Sequence, residues 1–103
     1  MCALLCENCR QLIAIEEFIY IQDNKSVYNE NFYLLLNSYN LLRSEDPMQI
    51  ENENNIFINC AYSKSYCNKC KNFIGKSYFS FHKLDFESNV VIVIPKQNLQ
   101  YYN

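Results

Sequence analysis

The sequence predicts a small, mainly β fold with little helix, held together by more than the burial of its own core. Three observations carry that expectation. Half of the 103 residues are apolar and 16% are aromatic, so a core can form. The apolar residues fall in short runs rich in β-branched and aromatic side chains, with no long stretch of helical period. Six cysteines and a single glycine occur in a chain that buries only about 60–70% of its unfolded surface, so a staple is needed. With so little glycine, asparagine is expected to supply the left-handed turns.

The elements follow in chain order. Residues 11–21 read as a strand, bent at Glu16-Glu17. Residues 22–31 are polar and Asn-rich, a loop. The pattern of 32–42 fits strand or helix, and strand is preferred in this company. Residues 43–55 contain Asp46-Pro47 and Asn52-Glu53-Asn54-Asn55 and read as an acidic loop with solvated carboxylates. A strand resumes over 56–62. Another covers 77–84, with Phe79 and Phe81 on one side and Tyr78, Ser80 and His82 on the other. The pure apolar run from Val90 to Ile94 reads as a buried strand, far short of the roughly 20 residues needed to span a membrane. Pro95 ends it, and Leu99, Tyr101 and Tyr102 form an edge strand or a tail. One domain, 1–103, accommodates everything.

The N-terminal residues Met1 to Cys6 lack the basic start and apolar stretch of a signal peptide, which points to the cytoplasm. In a reducing compartment thiols persist, and metal binding is favoured over disulfides. Their spacing agrees. Cys6-Glu7-Asn8-Cys9 and Cys67-Asn68-Lys69-Cys70 are two Cys-x-x-Cys units, the separation that lets two thiolates face one cation. Together they offer a tetrahedral four-sulfur site suited to one structural Zn2+, with iron the smaller alternative. Arg10 and Lys71 follow the pairs and place positive charge beside them. A redox pair normally opens a helix beside a βαβ unit, a setting neither pair has. A four-sulfur shell leaves no position for catalytic water. Cys2 and Cys60 are left over, Cys60 reading as a buried small hydrophobe in its apolar strand. A Cys60–His82 nucleophilic pair lacks an orienting third group. The expectation is a protein that is not an enzyme and takes no small-molecule substrate.

The net charge of −2 excludes a chain whose whole surface coats nucleic acid. It also hides a split. Residues 1–59 hold three cations against nine acids, whereas 60–103 hold Lys64, Lys69, Lys71, Lys76, Lys83 and Lys96 against Asp85 and Glu87. The first four of these lysines flank the second cysteine pair. With Lys83 they are the candidate RNA- or partner-binding residues, or else they solubilise an aromatic β surface.

The stretch Cys67-x-x-Cys70-x-x-x-Ile74-Gly75-x-x-Tyr78, with Cys6-x-x-Cys9-Arg10-x-Leu12-Ile13 before it, resembles the Yippee, Mis18 and cereblon-type zinc domains. Leu84-Asp85, the run from Val90 to Ile94 and Leu99-x-Tyr101 extend the resemblance over nearly the whole chain. It implies two antiparallel sheets, a β-tent, pinned at the apex by the four cysteines. The aromatic cage of cereblon-type domains needs tryptophan, and the sequence has none. The β-tent also resembles the RNA-end-binding domain of innate immune helicases, where a basic face meets phosphate. The Asn-, Tyr- and Lys-rich composition suggests an AT-biased, compacted genome such as a microsporidian's. In that setting the chain is similar to ribosome dormancy factors, which lodge in the tRNA exit site of idle ribosomes. The leading expectation is therefore a zinc-stapled module that docks on rRNA and ribosomal proteins and blocks that site by occupancy. The alternative is an adaptor in a chromatin (centromere) or ubiquitin-system complex, nuclear in the first case.

Overall fold

The computed structural model describes residues 2–22, 25–26, 31–53, 57–79 and 90–103. Two antiparallel sheets make up the body. The first has three strands in the order β11-β1-β2, from β1 (Ala3–Cys6), β2 (Leu12–Ile15) and β11 (Leu99–Tyr102). The second has β5 (Phe32–Leu35), β6 (Leu41–Arg43), β8 (Ala61–Cys67), β9 (Phe73–Tyr78) and β10 (Val91–Pro95) in the order β5-β10-β9-β8-β6. A two-residue strand, β7 (Gln49–Ile50), also pairs with β8, and β3 (Ile21–Gln22) pairs with β4 (Lys25–Ser26) as a separate ribbon. Helix is limited to two 3-10 turns among the described residues, Glu16–Phe18 and Lys96–Asn98.

The bend expected at Glu16-Glu17 is the first of these turns. Beyond it the chain leaves the first sheet for the second, where Tyr20 N–H donates to Leu34 O and Leu36 N–H to Phe18 O. Residues 32–42 form two strands at opposite edges of the second sheet, β5 on β10 and β6 on β8. The polar segment between them breaks the run, with Asn40 left-handed at φ 59. The strand expected over 56–62 begins later, at Ala61, because residues 57–59 turn and Asn59 is left-handed at φ 66. Cys60 is accordingly buried at the end of a turn, not in a strand. Of the strand placed over 77–84, Ser77 and Tyr78 end a strand that begins earlier, at Phe73, and Phe79 is a bend; Ser80 lies outside the described residues. Phe81, His82, Lys83 and Leu84 lie outside the described residues. Leu99–Tyr102 is an edge strand, paired antiparallel with β1.

Two apolar clusters sandwich the second sheet. On one face Leu4, Cys6, Ile13, Ala14 and Leu99 of the first sheet pack on Leu35, Cys67, Ile74, Ile92 and Ile94. On the other, Leu34, Tyr62, Tyr78, Val91 and Val93 are covered by Phe57 and Cys60. A strand buried on both faces reads as continuous apolar sequence, which is why Val91 to Ile94 shows no alternation. Gly75 sits in β9 beside β10. A Cβ there would lie 2.4 Å from Val93 O and 2.9 Å from Ile94 Cγ1, so the only glycine serves close strand approach and not a left-handed turn.

Candidate metal centre

The two Cys-x-x-Cys units adopt the same backbone turn. Cys6 N–H donates to Gln11 O at 2.8 Å and Arg10 N–H returns to Cys6 O at 2.8 Å. In the second unit Cys67 N–H donates to Asn72 O at 3.0 Å and Lys71 N–H to Cys67 O at 2.9 Å. Arg10 and Lys71, each following the second cysteine, are left-handed at φ 64 and 66. Asparagine thus supplies only two of the four non-glycine left-handed positions among the described residues, at Asn40 and Asn59. The basic residues supply the other two, inside the cysteine turns.

Cys6 closes β1 and Cys67 closes β8, so the pairs join the ends of two different sheets. The Sγ atoms of Cys6 and Cys70 lie 3.6 Å apart and those of Cys9 and Cys67 3.5 Å apart. All four sulfurs lie within 4.8 Å of one another. A tetrahedron with zinc–sulfur bonds of about 2.3 Å has edges of about 3.8 Å, so the donor set fits zinc in type, number and size. Cys6 and Cys67 are buried and Cys9 and Cys70 half-buried. Burial pushes the Cys6 thiol up to about 12 and raises Cys9. Hydrogen bonding by the Asn8 side chain and then by Asn72 N–H holds Cys70 down to about 6. Cys70 therefore gives up its proton more readily than Cys6 or Cys9, and a bound cation would offset the burial that holds the Cys6 proton. Cys2 stands apart, with its sulfur 3.5 Å from Asn103 Oδ1.

Asn40 fastens this apex. Its Nδ2 donates to Leu12 O at 2.8 Å, its Oδ1 accepts from Asn68 Nδ2 at 3.3 Å, and its own carbonyl accepts Asn68 N–H. One residue thus ties the first sheet to the second cysteine turn. Sequence reasoning passed it over, although an asparagine in a polar break is a usual left-handed turn residue.

The candidate lysines separate. Lys64 on β8 and Lys69 and Lys71 in the second turn are exposed, with Lys71 Nζ donating to Asn68 O at 2.7 Å. Lys83 lies outside the described residues. Lys76 is committed internally: its Nζ lies 2.9 Å from Glu51 Oε1 and 4.6 Å from the centre of the Tyr62 ring. This corrects the reading of 43–55 as a solvated acidic loop. The segment contains β7, and Glu51 is only 2% exposed. Its carboxylate accepts from Lys76, from the Tyr78 hydroxyl and from Glu53 N–H at 3.2 Å.

Comparison with known proteins agrees with this geometry. The protein-family model described as Yippee zinc-binding/DNA-binding/Mis18, centromere assembly, matches residues 2–103. Among solved structures, the chain is similar to the crystal structure of the Mis18 "Yippee-like" domain, with a TM-score of 0.74 and 21% identity. That match covers 99% of this chain and 95% of the other. No curated protein matches by sequence.

Proposed function

Because the chain belongs to the Yippee-Mis18 family, we propose that it is a non-enzymatic module, stapled by one structural zinc ion, that docks on a protein partner within a larger assembly. A chromatin or ubiquitin-system complex is the setting that the family suits. The observation that carries the reading is the four-sulfur cluster joining the ends of the two sheets. A shell of four cysteines closes around its ion and leaves no place for a reacting water, so the metal holds the fold and the surface performs the function. A docking surface is available at β11. It ends the order β11-β1-β2, and Tyr101 and Tyr102 on it are 51% and 64% exposed. An edge strand of this kind pairs with an extended partner segment through its main chain.

The test has two parts. Metal analysis of the purified protein is expected to give one zinc per chain, and any other stoichiometry counts against the staple. Affinity capture from nuclease-treated lysate is expected to retain a defined protein partner that Tyr101→Asp and Tyr102→Asp together release. Loss of all partners on nuclease treatment overturns the adaptor reading.

A second reading, docking on the ribosome in the cytoplasm, is supported by exposed Lys64, Lys69 and Lys71 beside the Tyr66–Phe73 ring pair, whose centroids are 6.0 Å apart. Cations and aromatic faces together suit phosphate and unstacked bases. It requires co-sedimentation with ribosomes that weakens steeply with salt. Absence of co-sedimentation at low salt removes it.

A further inference from the structure

On the face of the second sheet that carries Ser65 and Cys67 lies a pocket of about 640 Å³, lined in part by residues of the segment 36–43. That is the size of a site for a small organic molecule. Several of its polar groups can donate. Arg43 stands directly opposite Ser65 across the β6–β8 pair, with its guanidinium over the Phe79 ring at 4.9 Å and no carboxylate partner among the described residues. Stacking on Phe79 orients the fork of N–H groups. On the floor, Ser65 Oγ and Ser77 Oγ are 2.6 Å apart. Two hydroxyls own two hydrogens, and that contact uses one; the other has no acceptor among the described residues. At the rim Asn37 Oδ1 takes Ser38 N–H, which leaves its NH2 group to donate. Leu41, Val90 and Ile92 form an apolar stretch of wall, and Ser38 and Asn40 also line the pocket. No acidic side chain lines the pocket among the described residues.

We infer that this pocket binds a carboxylate borne on an apolar body, with Arg43 pairing the anion and the Ser65–Ser77 pair donating to it. Charge count selects the class. One guanidinium neutralises one negative charge, so a monoanionic carboxylate is balanced, whereas a phosphate dianion would carry uncompensated charge into a partly apolar site. The apolar wall asks for a hydrocarbon next to the anion. A free small acid and the C-terminus of a protein both present this chemistry. The inference stands independently of the docking reading above.

The experiment is a titration of the zinc-loaded full chain, followed by backbone amide NMR shifts, with 3-phenylpropanoate and with its neutral amide. The acid is expected to give saturable shifts at residues 41–43, 65, 77 and 92, and the amide to bind at least about tenfold more weakly, as the loss of a charge-assisted hydrogen bond dictates. Arg43→Gln is expected to weaken the acid about tenfold or more and to leave the amide unchanged, while Arg43→Lys recovers part of the loss. Arg43 is exposed, so these variants keep their fold, which zinc content and amide dispersion verify. The same titration with the tetrapeptide acetyl-Gly-Ser-Gly-Phe, as free acid and as C-terminal amide, separates the sources. A peptide acid that binds at least about tenfold more tightly than 3-phenylpropanoate points to a protein C-terminus, and equal affinity points to small acids; either supports the carboxylate site. Equal binding of acid and amide overturns it, as does indifference to Arg43→Gln. The absence of saturable shifts up to about 10 mM acid does so too.

Discussion

Glu51→Gln tests the internal ion pair most directly. Burial by itself raises the Glu51 carboxyl, yet the Tyr78 hydroxyl and the Lys76 ammonium outweigh it and bring the group from its ordinary 4.5 down to about 2. A displacement of that size corresponds to about 3 kcal/mol at neutral pH, since each pH unit is worth about 1.4 kcal/mol. The substitution keeps the shape and lets an amide oxygen accept from Tyr78. It removes the charge that balances Lys76, whose side chain is 32% exposed. A loss of about 2–4 kcal/mol is expected in urea unfolding of the zinc-loaded protein at pH 7. Because the folded-state value is depressed, the contribution is complete above about pH 4.5 and drains away as the pH falls toward about 2. The gap between the two proteins should therefore be constant from about pH 7 to about pH 5 and close below about pH 4. The comparison is read over the pH range in which zinc stays bound, because the zinc-free chain is expected to unfold. A variant within about 0.5 kcal/mol of the parent at neutral pH, or a gap that already narrows between about pH 7 and about pH 5 while zinc stays bound, refutes the assignment.

Other outcomes follow from the same structure. A strong chelator is expected to unfold the chain, seen as loss of β signal in circular dichroism, because structural zinc supplies an apparent ~10–16 kcal/mol, as much as the whole stability of a small domain. Cys67→Ser should abolish stoichiometric zinc, whereas Cys60→Ala, in the other apolar cluster, leaves zinc content unchanged while lowering the unfolding midpoint. Gly75→Ala should cost about 2–3 kcal/mol in denaturant unfolding, since its Cβ would meet the backbone oxygen of Val93 and neither strand can withdraw without breaking the sheet. Lys71→Gly should be neutral or stabilise by up to about 1 kcal/mol in the same assay, because glycine relieves the left-handed backbone at φ 66.

Much of the metal centre was legible because it is built from local geometry. Two residues between cysteines is a property of a single turn, and the turn repeats the same hydrogen bonds at Cys6 and Cys67. The strand after Val90 was legible for a similar reason, as burial on both faces writes itself into composition. The positions of β8 and β9 were not. The polar β8 sequence Ser63-Lys64-Ser65 and the short Phe73–Tyr78 run look unpromising singly and become strands only because each covers the other across the cysteine turn. Lys76 showed the limit of charge counting. Its membership of a cationic half is a fact of sequence, but its partner is 25 residues away and across two strand pairings.

From the sequence alone, the four cysteines, the mainly β class and the family resemblance were decided, because ligand spacing and residue preference act over a few neighbours. Tertiary structure decided that the cysteines join two sheets, that Gly75 is there for strand approach, and that Glu51 lies buried under Lys76 and Tyr78. It also placed Arg43 and two serines in one pocket with Leu41, Val90 and Ile92. Each of these depends on which strands pair and in what register, and antiparallel pairing brings together residues whose separation along the chain carries no local signal.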